Sequence, residues 1–341
     1  MLLVHLLASD PQIRVIGAVD DGRAALEFVG EEKPDVIVMD IHMPNMDGFE
    51  ATRLIMETQP VPIIICTATT NPRELVNTFR MMEAGAVACL EKPVAREHAD
   101  FERLAAGLLE SVKLMSEVKV VRRWPRLRSA ARTSSRPFES PRAPARTVVV
   151  GIGASTGGPP VLQTILSSLT KDFPGTLLVV QHVAQGFLPG MVEWLNQTTA
   201  LQVHVASHGI CPLTGHAYLA PDGFHMGVSA GGRIFLAAGE PENGLRPAVS
   251  YLFRSLAENY GAEALGVLLT GMGKDGAAEL KLMREKGATT IAQDRESSVV
   301  HGMPGEAIAL EAATHILPAD KIAAAITTLV NRKHAKGGIE P

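Results

Sequence analysis

The stretch Thr147-Val148-Val149-Val150-Gly151-Ile152-Gly153-Ala154-Ser155-Thr156-Gly157-Gly158-Pro159 decides the fold of the second half of this chain. A β-branched apolar run leads without a break into a glycine-rich turn and then into residues of helical spacing (159–169). A continuous apolar run is what a parallel strand buried on both faces requires. Glycines beside Ser155 permit a tight strand-to-helix turn and close backbone approach. Further along, the pattern repeats: strand TLLVVQ (176–181), a helix around 187–197, a helix at 247–260, strand LGVLLT (265–270), a helix at 276–286, strand TTIAQD (289–294) and a closing helix at about 319–332. Alternation of this kind predicts a doubly wound parallel sheet. Between about 201 and 238 the segments LQVHVA, AYLAP, HMGV and RIFLA alternate instead, and read as a β-hairpin insertion.

Open parallel sheets carry their chemistry beyond the carboxyl ends of the strands. Three such ends hold Ser155, His182 and Asp275. A serine hydroxyl is a poor nucleophile until an imidazole takes its proton, and the imidazole needs a carboxylate to fix its tautomer and stabilise its charge. The chain order Ser, His, Asp differs from the Ser, Asp/Glu, His order of α/β-hydrolases. On the residues alone, the glycine-rich turn reads equally well as a phosphate-binding loop, although the spacing of Gly151, Gly153 and Gly157 fits no dinucleotide fingerprint and no Lys-Ser/Thr follows.

The first half also alternates. RVIGAV (14–19), DVIVMD (35–40), PIIICTA (62–68) and GAVACLEKP (85–93) read as strands, with a helix after Asp21-Gly22 carrying Ala25, Phe28 and Val29 on one face, and helical spacing over 96–120. The opening MLLVHLLASD has neither a basic n-region nor a small-residue cleavage site, and looks like the end of an apolar-faced helix. Residues 121–146 hold eight arginines with several prolines and serines and no apolar period. They read as part of a flexible linker. The expected division is 1–115, linker 116–146, and 147–341.

At 341 residues the chain is too long for one ordinary core. With 46% apolar and 20% charged residues it is globular in composition, and 4% aromatics leave little for stacking on nucleic-acid bases. The net charge of −4 hides a basic strip, 10 Lys and Arg against 2 acids over 111–146, between two acidic blocks. Nothing beside that strip resembles a nucleic-acid reader, so no nucleic-acid partner is expected. No apolar run approaches the length of a membrane span, so no membrane insertion is expected. Three cysteines, Cys66, Cys89 and Cys211, have no metal-ligand spacing and suit a reducing, cytoplasmic compartment.

GIGASTGGP (151–159), VVQHV (179–183), GHAYLAPDGFHM (215–226), LLTGMGKDGA (268–277), IAQD (291–294) and GMPGEAI (302–308) resemble, in order and separation, the catalytic domain of chemotaxis protein-glutamate methylesterases, the CheB family. The resemblance implies a triad of Ser155, His182 and Asp275. It implies hydrolysis of glutamate methyl esters on methyl-accepting chemoreceptors, with deamidation of receptor glutamines, and no cofactor for that chemistry. Thr156, Met272 and Gly273 are candidates for oxyanion binding or substrate positioning. Arg246-Pro247-Ala248-Val249-Ser250 departs from the family in having Ser250 where an aspartate is usual. A non-catalytic regulator binding a nucleotide or partner is the competing reading.

DVIVMDIHMPNMDGFE (35–50) resembles the phosphoacceptor segment of response-regulator receivers, a flavodoxin-like fold. The resemblance implies Asp40 as phosphoacceptor, Thr67 and Lys92 as its supporting hydroxyl and cation, a histidine kinase as phosphodonor, and a receiver that covers the active site until phosphorylated. The first receiver strand, with the acidic pair that holds Mg²⁺, has no counterpart. Asp20-Asp21 lies too close to Asp40 and fits a strand exit instead. The Mg²⁺ site is therefore expected to be incomplete, and a gap is expected in the sheet. A misassigned start at Met1 is the expected cause, with a truncated receiver as the alternative. A monomer is expected.

Overall fold

The computed structural model describes residues 2–68, 72–93, 100–118, 120 and 148–337. Most of the expected linker lies outside the described residues.

The first unit comprises α1 (Leu2–Leu7), α2 (Gly22–Glu31), β1 (Ile37–Met39), α3 (Gly48–Thr58), β2 (Ile63–Thr67), α4 (Pro72–Ala84), β3 (Ala88–Glu91) and α5 (Phe101–Ser116). Its strands form a parallel sheet in the order β1-β2-β3. The apolar run IIICT of β2 is buried throughout, as a central parallel strand must be. Asp21 and Asp47 cap α2 and α3, accepting from the N–H groups of Ala24 and Glu50.

Residues 14–19 depart from expectation: 13–19 form no strand. Between them and β1 lies a slot of about 640 Å³ lined by Ile13, Val15, Val19, Ile37 and Met39, with Leu3 and Leu7 of α1 at its side. A β-branched run becomes a strand only through a ladder with a neighbour. Here, among the described residues, no strand pairs with the segment. Val19 is correspondingly exposed.

The second unit comprises β4 (Val148–Ala154), α6 (Gly158–Ser167), β5 (Gly175–Gln181), α7 (Leu188–Thr198), β6 (Gln202–Val205), β7 (His216–Leu219), β8 (His225–Val228), β9 (Ile234–Ala237), α8 (Val249–Asn259), β10 (Ala264–Leu268), α9 (Ala277–Glu285), β11 (Thr289–Gln293), α10 (Met303–Ala309), β12 (His315–Leu317) and α11 (Ala319–Gly337). Seven strands form one parallel sheet in the order β12-β11-β10-β4-β5-β7-β6. β4, β5 and β10 are wholly buried at its centre.

Of the four short segments read as hairpins, only β8 and β9 form one. β6 and β7 run parallel to each other and extend the main sheet beside β5. Alternation reports one buried face and says nothing about the direction of the neighbour.

The two units pack together through α4 and α7. Phe79 stacks on Trp194 with ring centroids 5.5 Å apart, and Arg80 donates to Gln197. Gly190 sits so close to Leu75 that an added Cβ would lie 2.4 Å from the Leu75 Cβ. Buried residues of both units, including Leu75, Phe79, Met191 and Trp194, belong to one apolar cluster.

Candidate active site

The chain leaves β4 for α6 through Ser155 and Gly157, and the left-handed φ of +77° at Gly157 is what reverses it within so few residues. β5 ends at Gln181, so His182 is the next residue, and its N–H donates to the Ala154 carbonyl on the neighbouring strand. β10 lies on the other side of β4, and the loop after it returns Asp275 toward the same edge. Serine, histidine and aspartate thus follow three adjacent strands, at the point where the winding of the sheet reverses.

His182 Nε2 lies 3.1 Å from Asp275 Oδ2. The two atoms are in ion-pair range, although Nε2 makes no hydrogen bond of good geometry. Val249 N–H donates to Oδ2 at 2.6 Å and Ser250 N–H to Oδ1 at 3.1 Å, so the first two N–H groups of α8 grip both oxygens. A helix N-terminus favours negative charge. The Ser250 hydroxyl accepts from Gly276 N–H, tying the loop behind Asp275 to the same helix end. Asp275 is 2% exposed. Burial pulls its carboxyl upward, but hydrogen bonding and charge from His182, then Ser250 and the Val249 N–H, outweigh that and hold it below the ordinary carboxylate value.

With Nε2 turned to the aspartate, Nδ1 is the imidazole atom left to take a proton. Among the described residues the Ser155 hydroxyl makes no hydrogen bond to His182. Such contacts commonly close only around substrate. Both residues line one crevice of about 260 Å³. Its other wall comes from the first unit: Cys89, Leu90 and Glu91 of β3 and Arg103, Leu104, Gly107 and Leu108 of α5.

Thr156 also lines the crevice, whereas Met272 and Gly273 do not. Met272 is exposed on the loop after β10, and Gly273 has a left-handed φ of +79°. Gly271 of that loop packs against the Ser155 turn, where an added Cβ would lie 2.7 Å from the Ser155 Cβ. Three polar residues that the sequence reading passed over hold the turn. Thr270 accepts from Ser155 N–H and turns its hydroxyl toward the Thr156 carbonyl. Gln293 accepts from Thr270 N–H, and Gln181 donates to the Ser155 carbonyl. VVQHV and IAQD each end a buried strand on a glutamine, and that polar residue in an apolar run was the available signal.

In the first unit, Asp40 follows β1, Lys92 follows β3, and Lys92 Nζ donates to Asp40 Oδ2. Thr67 ends β2, 1% exposed. Asp21 is committed elsewhere, accepting from Ala24 N–H and from Asn45 Nδ2. Those bonds hold its carboxyl below the ordinary value. Among the described residues no cluster of three His, Cys, Asp or Glu side chains is placed to hold a metal ion. A hard divalent cation wants several oxygen ligands, and these strand ends supply the Asp40 carboxylate, with one oxygen already paired with Lys92. They do not fit a complete Mg²⁺ site.

The fold and these strand ends define a receiver-type domain joined to a doubly wound hydrolase domain. The CheB methylesterase family matches residues 150–326, and the response regulator receiver domain family matches residues 1–100. By the first match, which covers more than half of it, and by its relatives, the chain belongs to the CheB methylesterase family. A protein-glutamate methylesterase/protein-glutamine glutaminase of Nitrosospira multiformis is 55% identical over 331 residues, covering 96% of this chain and 93% of the relative. One from Geobacter metallireducens is 55% identical, covering 98% and 96%. The crystal structure of the CheB methylesterase catalytic domain of Thermotoga maritima superposes with a TM-score of 0.52 at 39% identity, over 54% of this chain and 98% of that one.

Proposed function

We propose that this chain hydrolyses glutamate γ-methyl esters on methyl-accepting chemoreceptors, releasing methanol, and deamidates receptor glutamines to glutamates. Ser155 Oγ attacks the ester carbonyl carbon while His182 Nδ1 takes its proton. Asp275, ionised and fixed by α8, stabilises the imidazolium that forms. The tetrahedral intermediate collapses, the imidazolium gives its proton to the departing methoxy group, and methanol leaves an acyl-Ser155. Water, activated by His182, then frees the glutamate. With a glutamine substrate the leaving group is ammonia. The carrying observation is that Ser155 and His182 share a crevice while His182 lies 3.1 Å from the buried Asp275.

The receiver controls access. Its β3 and α5 form one wall of the crevice, and the chain running from β3 carries Lys92, which holds Asp40. Phosphoryl transfer to Asp40 from a chemotaxis histidine kinase would compete for Lys92 and strain that wall, with Thr67 as the hydroxyl at the adjacent strand end. The enzyme works in the cytoplasm as a monomer. No helix among the described residues is long and apolar enough to cross a membrane.

Methanol release from receptor-bearing vesicles carrying tritiated methyl esters tests the reading. The full chain releases methanol and the Ser155→Ala variant does not. Equal release by both would overturn it, and no release by either would favour a non-catalytic regulator.

A further inference from the structure

Gln181 is the last residue of β5, 4% exposed, and belongs to neither the nucleophile turn nor the base. Its Nε2 donates to two carbonyls, Ser155 O at 2.8 Å and His182 O at 2.9 Å. One carboxamide thereby joins the backbone of the nucleophile to that of the base. The Ser155 carbonyl also accepts from Gly158 N–H at 2.8 Å, so both of its lone pairs are engaged.

The side chain has one workable orientation. Rotating the carboxamide would set its oxygen against two carbonyl oxygens and lose both bonds. As it stands, Oε1 is buried with no hydrogen-bond partner among the described residues. It packs on Gly158, where an added Cβ would lie 2.1 Å from Oε1, so only glycine leaves room for it. A buried amide that leaves its own acceptor unpaired is unfavourable for stability, which points to a use for the two bonds it does make.

That use follows from peptide geometry. In a planar trans peptide the C=O and the following N–H point in opposite directions. Fixing the Ser155 carbonyl on Gln181 and Gly158 therefore fixes the Thr156 N–H, aimed away from Gln181. Among the described residues no acceptor takes that N–H. The Thr156 carbonyl is held in turn by the Thr270 hydroxyl at 2.9 Å, so the peptide planes on both sides of Thr156 are fixed.

We propose that Gln181 is a positioning residue, which aims the Thr156 N–H at the oxygen of the carbonyl bound over Ser155 and keeps the Ser155 and His182 backbones at one spacing. This rests on the esterase reading above. Negative charge gathers on that oxygen only as the tetrahedral intermediate forms, so a donor held in place accelerates the chemical step and leaves ground-state binding almost unchanged.

The test uses the full chain, tritium-methylated chemoreceptor vesicles, and the variants Gln181→Met and Gln181→Glu, with rates taken per folded protein. Gln181→Met keeps the volume and removes both donors. Its kcat falls at least about tenfold, a part of the ~10²–10³-fold that one oxyanion donor supplies, while KM stays within about twofold. Gln181→Glu is impaired when ionised and recovers a single donor when protonated, so its rate relative to wild type rises as pH falls. A folded Gln181→Met variant with kcat within about twofold of wild type would overturn the proposal, as would a loss shared between kcat and KM. Should Gln181→Met fail to fold, the Gln181→Glu ratio decides: rising with acid supports the assignment, flat with pH overturns it. A wild-type chain that releases no methanol would sink the esterase reading itself, a separate outcome.

Discussion

Replacing Gly190 with leucine should turn the unphosphorylated chain into an active one. The three nearest atoms that an added Cβ would meet at this position belong to Leu75 of the receiver, its Cβ at 2.4 Å and its backbone carbon at 3.2 Å. A real Cβ does not sit there, so α4 must lift off α7. Overpacking of this kind costs about 1–3 kcal/mol. The cost falls on the closed arrangement, because leucine in place of glycine in the first turn of α7 does not disfavour the helix itself. The closed-to-open ratio then shifts by a factor of ~5–150.

One part of the seat being displaced nearly cancels itself. Trp194 buries its indole beneath Phe79, worth roughly 2–3 kcal/mol for a large side chain. Its Nε1 is buried without an acceptor, however, which returns about 1–3 kcal/mol. Methanol release by the unphosphorylated variant should therefore rise by up to that factor, with the fully open enzyme as the ceiling. The melting temperature should stay near that of wild type. A folded Gly190→Leu chain with wild-type basal activity would refute the idea that this contact limits access to Ser155.

Other consequences follow from the same geometry. Asp275→Asn should leave the chain folded and lower kcat by about 10³–10⁴-fold in the methanol-release assay, because the amide cannot stabilise an imidazolium. Of three cysteines, Cys66 is buried with its thiol pushed up to about 12 by burial, Cys89 is raised well above its usual value, and only Cys211 is exposed. A thiol reagent should accordingly titrate one cysteine in the native chain and three after denaturation. His204, paired with His216 at 2.8 Å, is held below the ordinary histidine value by burial and by its neighbour. The unfolded chain therefore binds the proton more readily, so stability is full above about pH 6.5 and declines as pH falls below it. A His204→Gln chain should show a flatter loss in melts run between about pH 7 and 5.

Much of this protein was legible because its central strands are apolar runs that end on chemically distinctive residues. Ser155, His182 and Asp275 each follow such a run, and the parallel winding brings those ends to one edge. Asp40 and Lys92 also close two strands of the receiver, but they were picked out by the resemblance of their segments to receivers. The segment 14–19 misled because strand propensity is local while pairing is not, and the neighbouring place holds a slot rather than a ladder. β6 and β7 misled because alternation is the same for parallel and antiparallel neighbours. The frame around Ser155, His182 and Asp275 was barely legible, its one local sign being the glutamines that end two buried strands. Gln181, Thr270, Gln293 and the first N–H groups of α8 act through backbone contacts across 23 to 114 positions of chain, which no local pattern encodes.

Labelling with a fluorophosphonate, followed by peptide mapping, most directly asks whether three separated loops make one reactive hydroxyl. A single adduct should form on Ser155 in the full chain, faster in Gly190→Leu, and be lost when His182 is replaced by alanine. An adduct on any other residue, or Ser155 labelled equally well without His182, would contradict this.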